Sequence, residues 1–188
     1  MRVTRRLYEV DGWGLGEVWE RDGLILHHEL AAPAPETAAA ADHPPSATGP
    51  QLPRGDARPP DGTLPGEVQQ DSSGFVPDLC RRFALHLAGQ PVKYGDVPID
   101  LTWATPFQQA LVAAARAVPW GEAVSYGELA ALAGRPGAAR AAGTFCAENR
   151  FSLIVPCHRV VAANGIGGYG PSGVSLKRRL LSLEGVLL

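Results

Sequence analysis

Nine of the 17 prolines lie between Pro33 and Pro65, interleaved with Ala, Gly, Asp and Thr. A stretch of this composition has too few apolar side chains to bury, so residues 31–73 are expected to be a flexible linker or insertion. A structureless loop of about 40 residues inside a compact domain is unusual. It therefore constrains the rest: the apolar residues on either side must build the core of a 188-residue chain without it. The division expected is an N-terminal unit over 1–100 that carries the insertion, and a C-terminal unit over 101–188.

Ahead of the insertion, Val3, Leu7, Val10, Trp13, Leu15, Val18 and Trp19 are interrupted by Asp11-Gly12 and Asp22-Gly23. Both dipeptides are hairpin-turn signals, so three antiparallel strands are expected, the third around Leu24-Ile25-Leu26. His27-His28 have no nearby Cys, and His43 and His86 are distant in sequence, so a structural or solvent role is expected for them rather than a metal site. After the insertion, Val76, Leu79, Cys80, Phe83 and Leu87 fall on one helical face, which makes Cys80 a core residue. Gly89-Gln90-Pro91 ends that helix, and Val97 to Leu101 reads as extended.

The C-terminal unit opens on Thr105-Pro106-Phe107-Gln108, a capping box with proline at the first helical position. Phe107, Leu111, Ala114, Ala115 and Val118 then share a core face. Ser125-Tyr126-Gly127-Glu128 is a second capping box, Gly134 suits a helix C-terminus, and a third helix is expected from Ala138 to about Asn149. Two short helices joined by a Gly-containing turn make a helix-turn-helix. The third helix has small residues at Ala138, Ala139, Ala141, Ala142 and Gly143, with Arg140 as the one large polar side chain near its start. A major-groove reader normally presents several long polar side chains. A small-residue helix suits close approach to a minor groove, or an ordinary Ala-rich core. The overall class is α+β.

Formal charge is −2, but residues 101–188 hold eight basic against four acidic side chains, a net of +4, and residues 1–100 hold nine against 15, a net of −6. The basic half fits a phosphate-facing surface and the acidic half does not. Cys80, Cys146 and Cys157 form neither a CxxC pair nor an even framework, so neither a disulfide scaffold nor a zinc ribbon is indicated. The basic N-terminus is not followed by an apolar signal core, and no stretch is long enough to span a membrane. A reducing, cytoplasmic location is expected, where a free thiol persists.

The chemistry-bearing stretch is Ile154-Val155-Pro156-Cys157-His158-Arg159-Val160-Val161. An apolar run on each side suggests a strand, and burial alone would raise a cysteine pKa and leave it inert. An adjacent imidazole can take the thiol proton or stabilise the thiolate, which makes Cys157 a candidate nucleophile. Ile166 to Gly173 is a Gly-rich loop, but neither phosphate-cradle pattern is present. Val174 to Leu183 reads as a last helix, with Lys177, Arg178 and Arg179 on a solvated face.

Pro156-Cys157-His158-Arg159-Val160 resembles the active-site motif of the O6-alkylguanine-DNA alkyltransferases. Ser125 to Gly134 resembles that family's tyrosine-bearing helix, Ala138 to Gly143 its recognition helix with an arginine finger, and Gly167-Gly168-Tyr169 and Leu183-Glu184-Gly185 follow at similar distances. The resemblance covers roughly residues 103 to 186. It implies a ribonuclease-H-like N-terminal unit and a winged-helix-like C-terminal unit that holds the active site and binds DNA. It implies stoichiometric repair, without a cofactor, of O6-alkylguanine in duplex DNA by a monomer, and leaves O4-alkylthymine open as a second substrate. Some members of the family carry an N-terminal zinc site, but its ligand pattern is not visible in this sequence, and no metal is expected. The damaged nucleotide is flipped through the minor groove. By the same resemblance Cys157 is the alkyl acceptor, His158 its base through a water, Glu184 the group that orients His158, and Tyr126 the donor to the leaving guanine. Arg140 is the finger, with Ala139, Gly143, Asn149 and Arg159 along the DNA. Pro156, Val160, Tyr169 and Gly170 line the substrate pocket. Two departures stand out: Arg150-Phe151-Ser152 follows Asn149 where the family has Asn-Pro-x-Pro, and Gly170-Pro171-Ser172-Gly173 is about one residue longer than usual. Rival readings are a non-catalytic sensor of alkylated DNA or a winged-helix regulator, and a Cys-His hydrolase, for which no oxyanion hole is evident.

Overall fold

A computed structural model of the chain describes residues 3–32 and 74–187. Most of the Pro-rich insertion, and His43 with it, lies outside the described residues. Strands β1 (Thr4–Val10), β2 (Gly14–Arg21) and β3 (Leu24–Ala32) form an antiparallel sheet in the order β1-β2-β3. The β2–β3 turn is a two-residue hairpin in which Asp22 (φ 53°) and Gly23 (φ 80°) are both left-handed, the conformation that matches the strand twist. Helix α1 (Phe75–Leu87) covers the sheet with Val76, Leu79, Phe83, His86 and Leu87. Cys80, expected in the core, is only partly buried at its edge.

Helix α2 (Pro106–Ala117) begins at the Thr105 capping box, with Thr105 Oγ1 accepting from Gln108 N and Gln108 Oε1 accepting from Thr105 N at 2.9 Å. The Ser125 capping box likewise opens α3 (Tyr126–Leu132). After a turn through Gly134 and Gly137 comes α4 (Ala139–Ala147), so the helix-turn-helix is present. The short strands β4 (Val124–Ser125) and β5 (Val160–Val161) pair in parallel, and α5 (Gly173–Leu183) closes the chain. The architecture is α+β, an antiparallel sheet followed by helices. Among the described residues no helix is long and apolar enough to cross a membrane.

The expected strand leading into Cys157 does not form. Asn149 explains why: its Nδ2 donates to Val155 O at 2.8 Å and its Oδ1 accepts from Phe151 N at 3.0 Å. The run then folds on itself through Ile154 N to Ser152 O and Val155 N to Phe151 O, both 2.8 Å. Leu153 adopts a left-handed φ of 64°, an uncommon state that the surrounding bonds impose. Local side-chain bonds thus satisfy backbone groups that a sheet would otherwise pair. Cys157 itself opens a turn of 3-10 helix over Cys157–Arg159.

One core joins the two halves of the chain. Within the N-terminal half, Ile25 bridges to Ile99 and Trp13 Nε1 donates to Leu87 O at 2.9 Å, while Arg179 of the C-terminal half donates to Gly12 O at 2.7 Å. His28 is the deepest link. Its backbone N–H donates to Arg150 O at 2.8 Å, and its ring stacks on Phe83 at 3.9 Å. Its Nδ1–H donates to Ser152 O, so Nε2 is the acceptor from Tyr8 OH at 2.7 Å. The expected structural role of His28 is the one observed. His27, by contrast, lies at the sheet surface near Glu17 and Glu29.

Burial lowers the His28 pKa to about 3, although the Ser152 carbonyl opposes the shift. A folded pKa below the unfolded value near 6.5 means that the unfolded chain binds more protons as pH falls. The stabilisation is complete above pH 6.5 and is lost progressively toward about pH 3. The urea midpoint is predicted to drop between pH 7 and pH 4, at up to about 1.4 kcal/mol per pH unit for this group alone, and His28→Asn should flatten that slope. An unchanged slope in the variant would contradict the assignment.

Candidate active site

Helix α5 carries two polar residues on its buried stripe. Lys177, Leu180, Leu181 and Glu184 follow one another at i, i+3, i+4 and i+7, the spacing of one helix face, and all four are buried. Lys177 was expected on a solvated face. It is instead fully buried, because Leu180 and Leu181 must face the core and Lys177 shares their stripe. Arg179 is also engaged: its guanidinium lies 3.6 Å over the Trp13 ring and donates to Gly12 O at 2.7 Å. Arg178 alone of the three lacks such a contact and is exposed.

Glu184, at the end of α5, sits at the centre of a buried cluster. Arg159 grips both of its oxygens, Nε to Oε2 at 2.8 Å and Nη2 to Oε1 at 2.9 Å, and sends Nη1 to Val118 O at 2.7 Å. His158 Nε2 donates to Oε1 at 2.8 Å. His86, from α1, places Nε2 3.2 Å from the same oxygen. Burial opposes ionisation of Glu184, but the His158, His86 and Arg159 donors outweigh it and hold the carboxyl well below its ordinary value. Arg159 was expected along the DNA. It is 6% exposed, and its fork is spent inside the protein. Carboxylate and guanidinium have matching planar geometry, so a buried Glu184 draws the nearest arginine inward.

The donated Nε2–H fixes the His158 tautomer and leaves Nδ1 as the basic nitrogen, with no hydrogen-bond partner among the described residues. Burial, opposed by Glu184, lowers the His158 pKa to about 4. The ring is therefore neutral at physiological pH and ready to accept a proton. Cys157 is 1% exposed. The thiol of Cys146 and burial push its pKa up, while Lys177 pulls it down. A buried thiol with a neutral base beside it and a cation nearby is inert until that base takes its proton.

Tyr126 lies across the small-residue helix, its ring next to Gly143. Its hydroxyl donates to Gly168 O at 3.2 Å. Burial, with Cys146 and Cys157 adding to it, raises its pKa, so it remains a proton donor. Lys177 Nζ donates to Gly168 O at 3.0 Å and to Val160 O, and lies 5.5 Å from the Tyr126 ring centroid. One lysine thus ties the Gly-rich loop to β5. Tyr169 and Gly170 follow on that loop, Tyr169 buried with its phenol pushed up by burial and by Cys157. A Cβ at Gly170 would collide with the Ala147 carbonyl, which explains a glycine where the loop crosses the end of α4.

The structure therefore brings Cys157, His158, Glu184, Tyr126, Pro156, Val160 and Tyr169 into one region. Arg140 is exposed at the start of α4, with Ala139 and Gly143 half-buried on the same helix. Asn149, expected along the DNA, is instead the brace of the loop before Cys157. Sequence reasoning missed Lys177, His86 and Cys146 as members of the site. The helical spacing of Lys177 with Leu180, Leu181 and Glu184, and of His86 with Leu79 and Phe83, was the available signal.

Two groups of described residues have metal-ligand types within reach of one another: His86, His158 and Glu184, and Glu17, His27 and Glu29. In each, one carboxylate already holds a guanidinium, Arg159 on Glu184 and Arg5 on Glu17, and the second Glu17 oxygen accepts from Trp19 Nε1 at 2.8 Å, while Glu29 of the second group is exposed. A metal ion would have to displace an arginine, so these donor sets fit ion pairs better than a metal.

Residues 106–186 match the family model described as 6-O-methylguanine DNA methyltransferase, DNA binding domain. A methylated-DNA–protein-cysteine methyltransferase of Methanopyrus kandleri is 40% identical over 127 residues, 66% of this chain and 94% of that protein. One of Metallosphaera sedula is 40% identical over 118 residues, 63% of this chain and 72% of that protein. The crystal structure of Mycobacterium tuberculosis OGT in complex with DNA superposes with a TM-score of 0.65 at 29% identity, covering 96% of this chain and 91% of that one. With the buried Cys157, the His158–Glu184 hydrogen bond and these likenesses together, the chain belongs to the methylated-DNA–protein-cysteine methyltransferase family.

Proposed function

We propose that this protein repairs O6-alkylguanine in duplex DNA by transferring the alkyl group irreversibly to Cys157. The observation that carries the assignment of residues is the buried Cys157 followed by His158, whose Nε2 donates to Glu184 at 2.8 Å. Cys157 Sγ attacks the alkyl carbon, the S–C bond forms and the C–O6 bond breaks. The thiol proton passes to His158 Nδ1, directly or through one water, and the resulting imidazolium is stabilised by Glu184. Arg159, bound to both Glu184 oxygens, keeps that carboxylate ionised and weakly basic, so it orients the ring rather than taking its proton. Charge left on guanine is met by a proton from Tyr126 at a ring nitrogen. The product is a thioether, and no group in the site can return it to a thiol, so each molecule acts once.

The alkyl carbon is inaccessible in stacked DNA, so the nucleotide leaves the helix before reaction. Exposed Arg140 fills the gap, and the half-buried Ala139 and Gly143 let α4 approach the minor groove closely. The first turn of α4 has no side-chain cap, which leaves backbone donors for a phosphate. Pro156, Val160, Tyr169 and Gly170 enclose the base. Asn149 and Arg159 act from inside, by holding the loop and the relay. We assign a monomer working in the reducing cytoplasm, where the free thiol survives. A sensor that binds damage without repair is the rival, and the presence of a cysteine at 157, followed by a neutral His158, speaks against it.

Wild-type protein mixed with excess duplex bearing one O6-methylguanine is predicted to gain a single methyl group, mapped to Cys157 by peptide mass. Cys157→Ala should gain none while retaining DNA affinity within about threefold, since phosphate contacts dominate affinity. Methyl gain in that variant, or tight binding with an unmodified wild-type thiol, would each refute the assignment.

Gly167 tests Tyr126 separately. It sits at φ 70°, and a Cβ there would lie 2.9 Å from Tyr126 Oη and 3.1 Å from Ala162 N. Gly167→Ala is predicted to displace the tyrosine and slow methyl transfer by roughly 10–100-fold, the range expected when a reacting group is misplaced by about 1 Å. DNA affinity should change little. A transfer rate within twofold of wild type would show that Tyr126 is dispensable.

A further inference from the structure

His86 belongs to α1, far in sequence from every residue assigned above, yet its ring is completely buried against the relay. Nε2 lies 3.2 Å from Glu184 Oε1, the oxygen that also receives His158 Nε2 and Arg159 Nη2. Its ring packs edge-on to Trp120 at 4.8 Å and to His158 at 6.0 Å, and stacks near Tyr94 at 5.8 Å. Among the described residues Nδ1 has no hydrogen-bond partner, and the only polar approach of Nε2 is the long one to Glu184 Oε1. Leaving a polar ring unsatisfied in a core is unfavourable, and leucine or phenylalanine would pack the same stripe of α1 without that penalty. An imidazole at this position therefore points to a task at Glu184.

We propose that His86 is a positioning residue of the alkyl-transfer relay, reaching from the N-terminal half of the chain to hold Glu184 Oε1 in line with His158. This rests on the assignment of Cys157 and His158 made above. As a neutral Nε2–H donor, His86 shares the carboxylate oxygen with His158. It limits the rotation of Glu184 and draws off part of the negative charge that would otherwise pull a proton onto His158. The groups facing His86 are Glu184, Arg159, His158 and Tyr94, with His28 farther along the same core. Burial lowers its pKa, against the attraction of Glu184, so the ring stays neutral where the reaction runs. Because Oε1 is shared, the orientation of His158 depends on where the N-terminal half places α1. The N-terminal half thereby takes part in setting the base for Cys157.

The test compares His86→Phe, which keeps the ring contacts and removes the donor, with His86→Gln, which restores a neutral donor. Single-turnover methyl transfer from an O6-methylguanine duplex is measured from pH 5 to 9, and the His158 imidazole is titrated by NMR without DNA. His86→Phe is predicted to remain folded and to bind DNA normally. It should raise the His158 pKa, move the acid limb of the rate profile to higher pH, and slow transfer at pH 7 by about tenfold, a part of the roughly 10²–10⁴-fold that general acid–base catalysis contributes. His86→Gln should return rate and profile most of the way to wild type. A His86→Phe protein with wild-type titration and profile overturns the proposal, as does His86→Gln being as impaired as His86→Phe, which would mean that only packing matters. The titration needs no activity, so it separates this proposal from the assignment of Cys157 itself, whose failure would appear as wild-type protein that gains no methyl group.

Discussion

The bidentate pair between Arg159 and Glu184 is the interaction on which the rest of the site depends. Both partners are buried, at 6% and 5% exposure, so neither charge is stable there without the other. Removing one member of a buried pair typically costs about 3–5 kcal/mol, because the survivor is left uncompensated in a poor solvent for charge. The pair anchors the end of α5 against the turn that bears Cys157 and, through Arg159 Nη1, against the end of α2 at Val118. Once Glu184 is pinned, its Oε1 dictates which nitrogen of His158 carries the proton. The other nitrogen is left without a proton. Structural electrostatics and chemistry are here one arrangement.

A second constraint is the route the backbone takes into Cys157. The loop from Asn149 to Pro156 touches the sheet only at the single bridge between His28 and Phe151, and is held by the Asn149 side chain on one side and by His28 on the other. Where the resemblance leads one to expect prolines that stiffen this approach, Arg150-Phe151-Ser152 supply backbone groups that β3 takes up: His28 N–H bonds to Arg150 O, and His28 bridges to Phe151. Stiffness lost from the local sequence is replaced by long-range hydrogen bonding. The guanidinium of Arg150 also stacks 4.7 Å from the Trp103 ring centroid, a further tie to the segment before α2.

Lys177 shows how a buried cation can be kept. Burial lowers its pKa, and the two thiols nearby raise it. Two backbone carbonyls, Val160 and Gly168, accept hydrogen bonds from it. Its position between β5 and the Gly-rich loop couples the strand after Cys157 to the loop beneath Tyr126. Loop geometry, thiol acidity and the tyrosine donor are thus linked through one side chain.

Much of the fold was legible locally. Both capping boxes, the Asp-Gly hairpins, the faces of α1 and α2 and the helix-turn-helix depend on neighbours within a few residues, and these form as the residue pattern implies. The motif around Cys157 and the distant Leu183-Glu184-Gly185 were likewise readable as a constellation. The state of the long polar side chains was not. Arg159 and Lys177 are solvated cations by composition and buried ones in the structure, because their partners lie 25 and 17 residues away along the chain. The strand expected before Cys157 failed for a similar reason: periodicity and apolar content cannot report that Asn149 folds the run back on itself. The sequence by itself therefore determined the elements and the adjacency of Cys157 and His158, since short-range sterics, hydrogen bonding and chain neighbourhood suffice for those. Tertiary structure alone decided the tautomer of His158, the inward turn of Arg159 and the approach of His86, since each depends on which charges share a low-dielectric interior once the chain has closed.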